Sequence, residues 1–181
     1  MAETGGRATA PLGRREAMWR LARAAGVAAP VLGFLEGRVS ALARGEETDV
    51  AVLHAALAIE HEAIALYDLG LKRSLFPAGL RSYAVEFRGD HLGHRDTQVA
   101  IAEERGSRPP DPKPSYDFAP LTGGDAVLRQ AVELELLAQD AYTALISQIR
   151  TRDYLLSAAF ILVDEVRHLT VWRRVLGLKI Y

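Results

Sequence analysis

A chain of 181 residues is long enough to bury one sizeable core, and 22 Lys and Arg against 23 Asp and Glu leave a formal net charge of −1, so no basic field is available for nucleic acid. The lack of any cysteine removes disulfides, thiolate zinc sites, iron–sulfur clusters and thiol nucleophiles in one step. A metal held by this chain must rest on His and carboxylate side chains, a ligand set suited to iron, manganese or zinc.

Residues 1–13 are rich in Gly, Ala, Thr and Pro, too poor in large apolar side chains to fold alone. Arg14 and Arg15 open a basic stretch that continues through Arg20 and Arg23, and Ala24 to Leu35 is mostly small and apolar. That run is too short to span a bilayer and matches the apolar region of a signal peptide, with Ala41-Leu42-Ala43 as a small-residue cleavage site. The paired arginines resemble a twin-arginine export signal. Ala17 and Met18, however, stand where that signal prefers Phe and Leu, and Glu36 and Arg38 interrupt the approach to the cleavage site. The other reading is an amphipathic helix that packs on the domain or on a partner. Residues 1–48 are therefore set apart as an extension, and residues 49–181 are expected to form the folded domain. Location follows the same fork, periplasmic if the segment is an export signal and cytoplasmic if not, with membrane association only through this segment.

Four helices are expected in the domain. From Asp49 to Lys72, Leu53, Leu57, Ile64, Tyr67 and Leu71 fall at steps of three and four, the signature of one helix face, with Thr48 or Asp49 as N-cap. A second helix follows Pro77 and runs through Leu80, Ala84, Phe87 and Ile101 until Gly106 ends it. Pro109, Pro110, Pro112, Pro114, Pro120, Gly123 and Gly124 make the next roughly twenty residues a crossover without regular structure. Asp125 caps a third helix to about Ile149, and Asp153 opens a fourth that stops at Gly177. No segment alternates as a strand would.

The two halves repeat. Laying Leu53–Glu60 over Leu128–Glu135 pairs Glu60 with Glu135 and Tyr67 with Tyr142. Laying Asp90-His91-Leu92-Gly93-His94 over Asp164-Glu165-Val166-Arg167-His168 pairs the histidines, with one residue of slippage between the two registers. Each half thus offers Glu-x6-Tyr on its first helix and a ligand pair at i, i+3 ending in His on its second. Glu60 lies on the apolar face of its helix, whereas Glu62 is turned about 200° away. Ile161, Glu165, His168 and Trp172 share one face of the fourth helix. A fold tolerates a buried carboxylate when it is paired, strongly hydrogen-bonded or bound to a cation, and several converging acids make a metal the economical explanation. A metal-free core of Glu–His–Tyr hydrogen bonds is the alternative. His91 and His94, beside Arg88, Arg95 and Asp96, also read as a surface pair. Tyr67 and Tyr142 are expected to pack in the core with their hydroxyls on the buried acids, and His54 and His61 to be solvated.

This ordered set resembles the ferritin-like superfamily of rubrerythrins, bacterioferritins and di-iron oxidases. It is more closely similar to the bacterial DUF4439-type ferritin-like domains. The closer likeness rests on Glu60-His61 with Tyr67, His91-x-x-His94-Arg95-Asp96, and Arg105-Gly106 followed by Pro109-Pro110, Tyr116 and Pro120-Leu121. It continues through Leu134-Glu135, Ala141-Tyr142 and Trp172-Arg173, covering roughly residues 50–177. The resemblance implies an all-α, ferritin-like four-helix bundle of two antiparallel hairpins joined by the Pro-rich crossover, with an extra N-terminal helical segment. It also implies a di-metal site with one Glu from each first helix and Glu-x-x-His from each second. Carried over, that pattern selects Glu60, Glu135, Glu165, His94 and His168, with His91 standing where the second bridging Glu belongs. Three carboxylates and three histidines neutralise a di-ferric pair less well, so a mononuclear iron, manganese or zinc site competes with a di-metal one, and a metal-free state stays open. Asp90 or Glu62 could substitute only by side-chain rotation. Two functions follow: an iron or manganese redox protein of the oxidase, peroxide-handling or ferroxidase type, or a metal-free bundle serving as a structural or partner-binding subunit. In either case the chain is expected in a homo-oligomer or as a subunit of a larger complex.

Overall fold

The computed structural model describes residues 48–180; the export signal or docking helix expected before them lies outside the described residues. The described residues form four long helices, α1 (Thr48–Lys72), α2 (Arg81–Glu104), α3 (Gly124–Ile146) and α4 (Arg152–Val175), with a single 3-10 turn at Ala78–Leu80 and no strand among them. The expected all-α four-helix bundle is what the chain adopts. α1 packs chiefly on α2 and α3 chiefly on α4, while α1–α3 and α2–α4 contacts join the two hairpins.

The helical pattern explains this packing. On α2 the buried residues Ala84, Phe87, His91, His94, Gln98 and Ala102 recur at steps of three and four, a single core-facing row. α4 buries Tyr154, Ala158, Ile161, Glu165, His168 and Trp172 in the same way. The apolar core falls into two main bodies, one around Tyr67, Phe76, Phe87 and Trp172, the other around Leu53, Tyr142, Tyr154 and Ile161. Along every helix the Glu and His residues sit between the stretches that feed these two bodies.

Both second helices stop where the sequence places glycine. Gly106 (φ 69°) and Gly177 (φ 66°) adopt the left-handed conformation, and the amides of Ser107 and Leu178 reach back to the carbonyls of Ala102 (2.9 Å) and Arg173 (2.8 Å). The crossover has no helix of its own, and Leu121 and Phe118 anchor it to the core.

Three expectations about helix starts are corrected. Asp125 lies in the first turn of α3, whose N-cap is Gly123, and makes no cap. Pro77 precedes the 3-10 turn instead of opening α2. Asp49 does not cap its own helix: its carboxylate accepts from the amides of Arg150 (2.9 Å) and Thr151 (3.0 Å), the Thr151 hydroxyl (2.6 Å) and Arg105 Nη1 (3.1 Å). It thereby ties the start of α1 to the start of α4 and the end of α2. Burial alone would raise this carboxyl, but these donors hold it down at about 2.

Candidate metal centre

The six residues selected from the sequence meet in the interior. Glu60, Glu135, Glu165 and His168 are fully buried, and His91 and His94 retain 1% and 8% of their exposure, so the surface reading of the histidine pair is wrong. Their donor atoms form two overlapping groups, Glu60–His91–His94–Glu165 and His91–Glu135–Glu165–His168, each with its atoms within 4.8 Å of one another. His91 and Glu165, the residues the repeat pairs, belong to both groups.

The repeat reappears as crossed hydrogen bonds between the hairpins. Tyr67 of α1 donates its hydroxyl to Glu135 of α3, and Tyr142 of α3 donates to Glu60 of α1. Trp172 Nε1 donates to the Tyr67 hydroxyl (2.7 Å), and Gln98, at the corresponding place on α2, donates to the Tyr142 hydroxyl. The core packing expected of both tyrosines is observed. The histidines are crossed too. His168 Nε2 of α4 lies 3.0 Å from Asp90 of α2, and His94 Nε2 of α2 lies 3.3 Å from Asp164 of α4. A carboxylate can only accept, so each Nε2 carries a proton, and the inward-facing Nδ1 is the ring atom left for a metal. Arg167 holds this rim, reaching Glu86 (2.7 Å), Asp90 (2.6 Å) and Asp164 (3.4 Å).

These partners test whether the residues fit a metal. His94 Nδ1, His168 Nδ1, Glu135 Oε2 and both oxygens of Glu165 are buried with no hydrogen-bond partner. Such orphaned groups are costly in a dry interior, and here they are the ligating atoms of His and Glu. Around the first group, Glu60 Oε2 is 2.9 Å from His91 Nδ1 and 3.6 Å from His94 Nδ1, while Glu165 Oε1 is 3.7 Å and 3.2 Å from the same two nitrogens. Ligands held about 2.0–2.2 Å from a tetrahedral ion stand roughly 3.3–3.6 Å apart, so the atoms form a cage of about the right size. The residues fit.

The charges are arranged to match. Burial raises the carboxyls of Glu60 and Glu135, but the neighbouring histidines overcome it and hold both below the ordinary range. Glu165 is pushed well up, by burial and by the other two acids, despite the opposing pull of His91. His91, although burial opposes its charge, is raised well above the usual imidazole range by the surrounding carboxylates.

Sequence reasoning missed four supporting residues. Asp90, Asp164, Gln98 and Trp172 all follow the register that pairs His94 with His168, so the repeat held the signal that they serve matching purposes. Asp90 is committed to His168 and Arg167, and Glu62, half-buried, joins neither ligand group. His61 is not solvated: it retains 9% of its exposure and lines a cavity of about 510 Å³ between α1, α2 and the crossover, which none of the six clustered Glu and His residues lines. His54 is half-buried, with its Nε2 3.0 Å from the Ser107 hydroxyl.

Comparison with known proteins agrees with this geometry. The profile of the ferritin-like domain family matches residues 48–178. Among solved structures the chain is similar to a conserved hypothetical protein, Rv2844, from Mycobacterium tuberculosis, with 28% identity and a TM-score of 0.67, covering 71% of this chain and 90% of that one. A search of curated proteins finds no match. A four-helix domain with two crossed hairpins, an interior Glu/His layer and a family profile spanning the whole described bundle leads to one conclusion: the chain belongs to the ferritin-like domain family.

Proposed function

We propose that this protein binds iron or manganese at the interior Glu/His layer and uses it for redox chemistry of the oxidase, peroxide-handling or ferroxidase type. The observation that carries the reading is the set of five buried ligating atoms on His94, Glu135, Glu165 and His168 that make no hydrogen bond and meet in the same layer. Glu60 and His94 would hold one ion, Glu135 and His168 the other, with His91 and Glu165 within reach of both. When bound, iron or manganese would supply one-electron redox steps and open positions for dioxygen or peroxide. The chain's own residues do the rest. Asp90 and Asp164 fix the histidine tautomers, Tyr67 and Tyr142 orient Glu135 and Glu60, and the two apolar bodies on either side exclude water.

Elemental analysis of natively purified protein tests this reading. Stoichiometric iron or manganese is expected, and Glu135→Ala and Glu165→Ala should each lose it. Metal-free protein whose melting temperature is unchanged by added iron or manganese overturns the proposal.

One observation favours a second reading, a metal-free bundle acting as a structural or partner-binding subunit. Leu156, Phe160 and Val163 form an apolar stripe on α4 that is 48%, 72% and 65% exposed. A Phe160→Ser variant with a lower solution mass and unchanged metal content supports an assembly role for that face; an unchanged mass counts against it.

A further inference from the structure

The ferritin-like pattern gives its metals two bridging carboxylates, and this chain has one. The residue paired with Glu165 by the repeat is His91, and the structure shows what its ring faces. Nδ1 stands 2.9 Å from Glu60 Oε2 and 3.7 Å from Glu165 Oε1, on the side of the first ligand group. Nε2 stands 3.4 Å from Glu135 Oε1, on the side of the second. The rings of His94 and His168 flank it at 5.7 and 5.2 Å between centroids, both edge-on. The ring is fully buried, so neither nitrogen is spent on solvent.

We propose that His91 joins the two metal positions through its imidazole ring, one nitrogen to each ion, in place of the missing bridging carboxylate. The inference rests on the metal-binding reading above. Each ion then has two nitrogens and two carboxylates within reach: Glu60, His94, Glu165 and His91 Nδ1 on one side, Glu135, His168, Glu165 and His91 Nε2 on the other. Protons on the two ring nitrogens leave to solvent as the ions enter. The ring is longer than a carboxylate. Two metal–nitrogen bonds of about 2.0–2.1 Å added to its width place the ions roughly 6 Å apart, against about 3.5–4 Å in usual two-metal sites. The consequence is a pair too widely spaced to share a single oxygen atom, which narrows the chemistry to two linked but separate ions.

The test is electron paramagnetic resonance on the full-length protein loaded with Cu2+, whose dipolar splitting reports the separation of two spins. A coupled pair roughly 6 Å apart is expected, shortening toward about 3.5–4 Å in His91→Glu. In calorimetric titration with Zn2+, His91→Ala should weaken both positions by more than about 10-fold, whereas Asp164→Ala, which removes the partner of His94 and leaves the Asp90–His168 contact in place, should weaken one more than the other. A wild-type pair at the shorter distance, two uncoupled spins, or one Cu2+ per chain overturns the bridge and leaves the metal-binding reading standing. Failure to bind Cu2+, Zn2+, iron or manganese at all defeats both. If His91→Ala does not fold, the wild-type spectrum decides alone.

Discussion

Individual side chains at the centre divide into those that would touch a metal and those that aim them. Asp90 and Asp164 belong to the second kind, and because each serves the histidine of the opposite hairpin, their loss should separate the two positions. Asp90→Ala is expected to weaken the position held by His168 by about 10–100-fold and to spare the one held by His94. Calorimetric titration with Zn2+ checks it, and equal weakening of both positions would contradict the crossed arrangement. Tyr67 is a different case, since its hydroxyl donates to Glu135 and accepts from Trp172. Tyr67→Phe leaves the indole N–H buried without an acceptor and is expected to cost about 1–3 kcal/mol in urea unfolding. Glu60, Glu165 and His168 were legible in the sequence because a polar side chain on an apolar helical stripe is anomalous at once; the repeat and the family resemblance added Glu135, His91 and His94, the last two against a surface reading. The burial of His61 was not legible. Its burial depends on the crossover segment around Pro112–Tyr116, whose path carries no periodicity to read.

At the level of the helices, the ends test the reading hardest. The stops at Gly106 and Gly177 were visible because a positive φ nearly demands glycine. The start of α1 was misread because Asp49 acts on Arg150 and Thr151, a partnership that local pattern cannot reveal. This carboxyl, held at about 2 in the fold, titrates near 3.9 when unfolded, so it adds stability above that pH and loses it as the pH falls toward 2. Asp49→Ala is therefore expected to cost about 1.5–3 kcal/mol near neutrality, with the gap from wild type closing below pH ~4. A constant gap across an acid series of urea melts would refute the clamp. Glycines inside the helices give a second contrast. A Cβ on Gly70 would lie 2.5 Å from Phe76 Cε2 and 3.0 Å from Val127 Cγ2, whereas one on Gly89 meets nothing within 4 Å. Gly70→Ala should thus destabilise by about 1–2 kcal/mol despite its better helix propensity, and Gly89→Ala should stabilise by about 0.5–1 kcal/mol.

The described residues form two hairpins that exchange their polar contacts. Each packs more closely within itself than against the other, and the halves hold each other through the two shared apolar bodies, the Asp49 clamp and the Glu/His layer between them. Connectivity and class were readable from four periodic stretches and one proline-rich gap, but the crossing of the contacts is a tertiary property with no local trace. Metal binding should consequently stabilise the entire bundle, by about 2.7 kcal/mol when the free ion stands at 100 times its dissociation constant. Glu165 offers the sharpest way to separate that gain from the stability of the apo fold. Burial, with Glu60 and Glu135 nearby, raises its carboxyl well above the ordinary range, so the metal-free protein favours the protonated acid at this position. A Gln side chain copies the shape of that protonated acid and cannot supply its negative charge to an ion. Glu165→Gln is therefore expected to melt close to the wild type in chelator, yet to lose most of the rise in melting temperature that iron or manganese gives. A variant that unfolds in chelator would mean that the carboxylate is charged and paired in the apo fold; one that still gains the full rise would mean that Glu165 holds no metal.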